Sequence, residues 1–202
     1  MERAMEGFHC DDEGDWVAHL ECGHTQHVRH RPPFQIREWV QSEAGRRGRI
    51  GALLECPLCA RAEMPDGLEL ARSGDVWDDT TLPGGLRRDH RLAPRTWGLL
   101  HVLAGRLRFV PGRAGWSLPA AELAAGSAQP IPPQMAHHVE TTGPVSVRID
   151  FYRVPAAGEG TGSEGGEAAC YAHLLCEECG ALLDRPDAHK PGCPAAGRAP
   201  TG

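Results

Sequence analysis

Two short runs of this chain bring thiols and imidazoles together at spacings that hold metal ions. Cys22-Gly23-His24 sets two ligand types around a glycine that permits a tight turn, and Cys56-Pro57-Leu58-Cys59 follows, two thiols separated so that both can point at one ion. Cys22, His24, Cys56 and Cys59 together form a Cys3His set, which suits tetrahedral zinc. His27 competes with His24 for the fourth place, with His30 behind it, and a free or redox-active pair at Cys56 and Cys59 is the other reading. Four protein ligands leave no open coordination position, so a structural ion is expected here, not a catalytic one.

The pattern recurs near the end of the chain. Cys176-Glu177-Glu178-Cys179 is followed by His189 and Cys193, a second Cys3His zinc set with Cys170 and His173 as spare ligands. Leu174, Leu175, Leu182 and Leu183 are all the core this segment has, so the metal would supply most of its folding free energy. Between the two halves of the first set stand Arg29, Arg31, Arg37, Arg46, Arg47 and Arg49, with Phe34 and Trp39 among them. A solvated helix face over 36–49 is the preferred reading of this run, and a grip on phosphate or single-stranded nucleic acid is the alternative.

Composition explains why metal matters. Gly 25 and Pro 17 make up about a fifth of the 202 residues, which argues against one large hydrophobic core, while 8 Cys and 11 His offer the staples that small domains use instead. The net charge of -6 argues against a general affinity for nucleic acid. No stretch approaches the roughly 20 apolar residues of a membrane span, and the first residues lack the apolar segment of a signal peptide. A cytoplasmic protein is expected, and in a reducing compartment paired cysteines read as metal ligands before disulfides.

The elements that must position these residues fall into islands. Residues 1–61 form a Cys/His domain, 62–80 a partly ordered connector, 81–155 a β domain, 156–169 a flexible Gly/Glu-rich linker, 170–196 the second knuckle and 197–202 a disordered tail. Trp16–Leu20 reads as a strand leading into the first knuckle. Trp97–Leu103 and Arg106–Val110 read as two strands joined by a tight turn at Ala104-Gly105. Val145–Tyr152 alternates without a break: Val145, Val147, Ile149 and Phe151 on one face, Ser146, Arg148, Asp150 and Tyr152 on the other. Strands between Gly/Pro turns argue a β-sandwich or small barrel, with the polar face expected to line a pocket.

Gly7-Phe8-His9, Asp15-Trp16, the run Cys22 to His30 and Cys56 to Cys59 resemble a small bacterial domain family of unknown function, the pressure-regulated-protein-like domains. That resemblance supports the metal reading and brings no reaction. Gly126, Pro132, Gln134 and His137 follow the second cupin motif, with Gln134 where the motif prefers Gly. The stretch from Leu82 to Arg153 resembles the TehB/YeaR-like cupins, found alone or fused to a tellurite-resistance methyltransferase; Leu82-Pro83 with Leu86 and His90, Thr96-Trp97-Gly98, Gly105-Arg106-Leu107, the run Pro133 to Glu140 and Asp150-Phe151-Tyr152-Arg153 carry it. It implies a divalent metal, zinc or iron, held by His90, His137 and Asp150 with positions left open, and with His101 or His138 as substitutes. The His-x-His pair of the first cupin motif is absent, and Asp150 is one methylene shorter than the usual glutamate.

The architecture expected is therefore mainly β: a small cupin-type β-barrel flanked by two small zinc-stabilised modules. The function expected is that of a metal-binding accessory protein in a bacterial stress response to tellurite, another oxyanion or nitrosative species. Its barrel would take a small anion or other small molecule, the zinc modules would serve the fold or dock a protein partner, and two chains would pair as a homodimer. A metal-dependent dioxygenase or hydrolase, with Arg148 holding an anionic group and Tyr152 donating a hydrogen bond, is the enzyme alternative. Docking of nucleic acid or protein on the Arg-rich face is the second alternative.

Overall fold

The computed structural model describes residues 1–112 and 118–155. The second Cys/His set, Cys176, Cys179, His189 and Cys193, lies outside the described residues, as do the linker and tail around it.

The N-terminal unit is a four-stranded antiparallel sheet: β1 (Glu2–Cys10), β2 (Trp16–Leu20), β3 (Thr25–His27) and β4 (Leu53–Glu55), in the order β3-β2-β1-β4. The turn from β1 to β2 forms because the Asp11 carboxylate accepts the backbone N–H groups of Glu13 and Asp15, an arrangement a short acidic side chain favours. One face of the sheet buries Met5, Ala18 and Leu20 with Val28, Val40 and the ligand cysteines.

The single helix expected over 36–49 is two pieces, a 3-10 turn at Glu38–Gln41 and α1 at Glu43–Arg47. Ser42 divides them. It sits in extended backbone and its hydroxyl accepts the N–H of Gly45, so it starts a new helix and cannot also continue the previous turn. Five of the six arginines of this region are engaged within the unit: Arg46 lies 3.5 Å over the Trp16 ring and Arg49 5.5 Å over Trp39, Arg29 and Arg31 share Asp15, and Arg47 pairs with Glu43.

The second unit is a curled six-stranded sheet of β5 (Glu69–Asp78), β6 (Thr96–Pro111), β7 (Ala121–Ala124), β8 (Ala128–Ile131), β9 (His137–Glu140) and β10 (Val145–Arg153). β6 organises it: its first half pairs with β10 and β8, its second with β7 and β9. The hairpin expected at Ala104-Gly105 is instead one continuous strand that bends. Gly105 has φ +74°, and a Cβ on it would lie 2.1 Å from the Pro144 carbonyl oxygen. Glycine here lets the backbone bend against β10, where the register slips between Ser146 and Val147. Residues 69–78, assigned to the connector from sequence, form β5 along β10; nearly all of them are exposed, so no apolar period marked the strand.

The curled sheet closes on Leu100, Val102, Leu107, Phe109, Ile131, Val147, Ile149 and Phe151. The two units share a boundary at Trp97. This β6 residue is fully buried, belongs to the apolar cluster of the N-terminal unit, and donates its indole N–H to the Cys22 carbonyl at 2.8 Å. No helix among the described residues is long and apolar enough to cross a membrane.

Gly105→Ala meets both a forbidden backbone angle and a carbonyl, whereas Gly126, also at positive φ (+86°), has open space around it. Urea unfolding is expected to show a loss of about 3 kcal/mol or more for Gly105→Ala and about 1 kcal/mol for Gly126→Ala.

Candidate metal centre

Local structure turns four donors toward one point. Cys22 follows β2, and the hydrogen bonds Gly23 N–H to Leu20 O and Leu20 N–H to His24 O close the turn that carries Cys22 and His24. Gly23 has φ +87° and is walled in by Pro65 and Val154, at 3.0 and 3.2 Å from where a Cβ would stand. Cys56 follows β4 and caps α2 (Pro57–Ala60), its sulfur accepting the Cys59 N–H at 3.4 Å; Pro57 opens the helix and one turn returns Cys59 to its side.

Four of the six edges between these donors match those of a tetrahedron. His24 Nδ1 lies 3.4 Å from the Cys22 sulfur, 3.5 Å from Cys56 and 3.6 Å from Cys59, and the Cys22 and Cys56 sulfurs are 3.9 Å apart. An ion bound at about 2.3 Å from sulfur and about 2.0–2.1 Å from nitrogen requires edges of about 3.8 Å between sulfurs and about 3.5 Å between sulfur and nitrogen. All four ligand atoms fall within 4.8 Å of one another and all four residues are buried. The Cys/His set therefore fits a zinc ion. His27 and His30, the competitors for the fourth place, are occupied elsewhere: His27 Nε2 lies 2.8 Å from Asp11, and His30 Nδ1 accepts the Arg37 N–H.

Charge at this point follows from the contacts. Burial pushes His24 down, but the sulfurs of Cys56 and Cys59 more than offset it and raise its pKa to about 9. Hydrogen bonds from Cys22 and Cys59 pull the Cys56 thiol far down, while those same partnerships push Cys22 up. A cation entering the cluster would displace the protons held there.

Sequence reasoning missed Arg3. It is 2 % exposed, on β1, and its Nε donates to the Cys59 sulfur at 3.4 Å while an Nη donates to the Pro133 carbonyl at 2.7 Å; Glu21 stands 3.9 Å away. Three thiolates and a divalent ion leave one net negative charge, which a buried guanidinium is placed to neutralise. An arginine in an N-terminal strand ordinarily faces water, and nothing in the surrounding pattern signals otherwise.

The second set of expected ligands does not assemble. His90 and His137 do meet: their backbones exchange two hydrogen bonds of 3.0 Å and their ring centroids are 4.1 Å apart. His137 Nδ1–H donates to the Met135 carbonyl at 2.8 Å, and its ring stacks on Phe109. Burial, and then the neighbouring His90, push its pKa down to about 3, so it is neutral at pH 7. Asp150 is elsewhere. On β10 it alternates with Ile149 and Phe151, which face the apolar interior, so its carboxylate points to the outer face and meets His101 at 2.9 Å and Arg148 at 3.0 Å. The three-ligand set of His90, His137 and Asp150 is thus corrected to a histidine pair without a carboxylate. The expected polar pocket is likewise corrected, because the polar face of β10 is the outer one. Of the substitutes, His101 is held by Asp150 and His138 by Asp89, 2.6 Å away. Among the described residues only Cys22, His24, Cys56 and Cys59 gather three or more donors.

The cleft beside the histidine pair is apolar. Leu82, Leu86, Leu100, Leu107, Ile131 and Val147 are among the residues that line it with His90 and His137, and no arginine or lysine is among them.

Known proteins resemble both units. Residues 72–149 match the TehB-like domain. Residues 6–63 match a protein family of unknown function, DUF3565. No curated protein matches the chain. Among solved structures, TehB from Haemophilus influenzae is similar at 25% identity and TM-score 0.40, over 44% of this chain and 32% of that one. A protein from Escherichia coli K12 is similar at 23% identity and TM-score 0.41, over 46% of this chain and 97% of that one. A variant of Bacillus subtilis oxalate decarboxylase is similar at 18% identity and TM-score 0.30, over 42% of this chain and 27% of that one. The chain thus spans about a third of the TehB it resembles.

Arg3→Met leaves the Cys59 sulfur and the Pro133 carbonyl without their donor. A loss of about 3 kcal/mol in unfolding free energy is expected, with metal affinity about 10- to 100-fold weaker in a chelator competition. The TehB-like region carries its own pH dependence. His137 is held at about 3 in the folded chain against an ordinary value near 6.5, so the unfolded state binds the extra proton between those limits. The contribution is complete above pH 6.5 and is lost as pH falls toward 3, by up to about 1.4 kcal/mol per pH unit. Urea midpoints measured from pH 7 to 4 should fall less steeply for His137→Gln than for the wild type.

Proposed function

We propose that this protein is a zinc-stabilised, ligand-binding accessory protein of a bacterial stress response. Cys22, His24, Cys56 and Cys59 hold a structural zinc, and the cleft of the TehB-like region at His90 and His137 takes a small molecule. The observation that carries the reading is the agreement of the three sulfur–nitrogen distances and the Cys22–Cys56 sulfur–sulfur distance with a zinc tetrahedron in a buried Cys3His set. A structural role is favoured because all four positions are filled by protein, and because the indole of Trp97 and the guanidinium of Arg3 tie the centre to the second unit.

Any ligand of the cleft is small and apolar, because the lining presents no polar atom and the space between the side chains is about that of one water. An oxyanion such as tellurite suits this lining poorly: with apolar walls and a neutral His137, nothing there offsets the cost of stripping an anion of water. The link to tellurite or nitrosative stress rests on the TehB-like match. A cytoplasmic setting, a homodimer and a docked protein partner belong to the same proposal.

Elemental mass spectrometry of the full chain, purified without chelator or histidine tag, tests the metal. Cys59→Ala is expected to lose one equivalent of zinc relative to the wild type and to lower the thermal midpoint; equal zinc in both proteins overturns the assignment.

A further inference from the structure

The outer face of the N-terminal sheet carries histidines that the Cys/His centre does not use. β1 and β2 set His9 opposite Val17 and Gly7 opposite His19, and β3 sets His27 opposite Val17 on the other side. Residues directly opposite share a face, so His9, His19 and His27 stand together on the side away from the buried Ala18 and Leu20. Gly7 has no side chain to stand between its neighbours; a Cβ there would already touch His19 Cδ2 at 3.9 Å. Into that gap two rings lean until their centroids are 4.7 Å apart, with His9 Nδ1 and His19 Nε2 separated by 2.7 Å. His27, held by Asp11, shares the face but is engaged.

We propose that His9 and His19 form a second metal site, a cross-strand pair of imidazoles that chelates a divalent transition ion of the nickel, copper or zinc type. Two nitrogens on such an ion, each at about 2.0–2.1 Å, lie about 2.9 Å apart at a right angle and about 3.4 Å apart in a tetrahedron. The observed 2.7 Å pair needs to open by about 0.2 Å for the right-angle geometry and by about 0.7 Å for the tetrahedral one. The two rings already require at least one bare lone pair between them, since an imidazole nitrogen accepts only when unprotonated. Burial, and then the nearby His9, lower the pKa of His19 and so favour its neutral, ligating form. Imidazole nitrogen suits nickel, copper and zinc, whereas calcium and magnesium prefer oxygen. With two protein ligands and the remaining positions open to water, this ion exchanges readily, unlike one enclosed by three thiolates and a histidine.

Nickel ion is the probe, added to the full-length chain with the thiolate sites first saturated with zinc. Paramagnetic broadening of backbone amide signals is expected to centre on residues 8–10 and 18–20. It should be lost in His9→Asn and in His19→Asn, with affinity reduced at least about tenfold, as expected for a direct ligand when outer partners alone matter that much. His27→Asn should leave it in place, and unchanged amide shifts elsewhere would confirm that the variants are folded. Broadening that persists in both variants, or that centres on Asp11 and His27 or on the C-terminal cysteines, overturns the site.

Discussion

The contact between the Arg3 guanidinium and the Cys59 sulfur is the point on which the two units of this protein depend. A buried arginine is costly unless each of its donors is answered, and here the answers come from a ligand sulfur, a carbonyl of the TehB-like region and the carboxylate of Glu21. Ligand sulfur, arginine and carbonyl therefore form one electrostatic unit. With the thiolates charged, Arg3 has a reason to be inside, and with Arg3 inside, Pro133 has a fixed donor. Trp97 repeats the logic in apolar form: its ring fills the N-terminal core beside His24, and its single polar atom reaches the Cys22 carbonyl. Neither unit is closed without a residue from the other.

Geometry in the second unit follows from one backbone constraint. β6 must serve two sets of partners, and Gly105 lets it change direction without ending. The bend carries Leu107 and Phe109 onto the same core as Leu100 and Val102, so a single strand lines the interior on both sides of the turn. Phe109 then backs the ring of His137, and the histidine is held in one tautomer by Met135, next to Gln134 at φ +56°.

The four donors that gather at the candidate metal centre are legible from spacing alone, because a Cys-x-His knuckle and a Cys-x-x-Cys pair impose their geometry locally. The choice between His24 and His27 was not, since it turned on Asp11, whose position depends on a turn. The alternation of Val145 to Tyr152 was read correctly as two faces, yet parity does not say which face is inside, and Asp150 was placed with the wrong partners. The tight turn read at Ala104-Gly105 is a bend within one strand, because a glycine that bends a strand and one that ends it look alike in sequence. Arg3 gave no signal at all. Its role exists only because three distant segments converge on it.

The position of Asp150 also constrains what the TehB-like region can do chemically. Burial raises its pKa, but the hydrogen bonds from Arg148 and Ser73 more than compensate, so it stays ionised on the outer face and is answered by Arg148 and His101. The charges that a water-activating or oxygen-activating site would use are thus outside the sheet, and the interior holds hydrocarbon and a neutral His137. Polar chemistry on an anionic substrate needs preorganised charge where charge develops. An apolar cleft with an uncharged imidazole behind it presents no such charge.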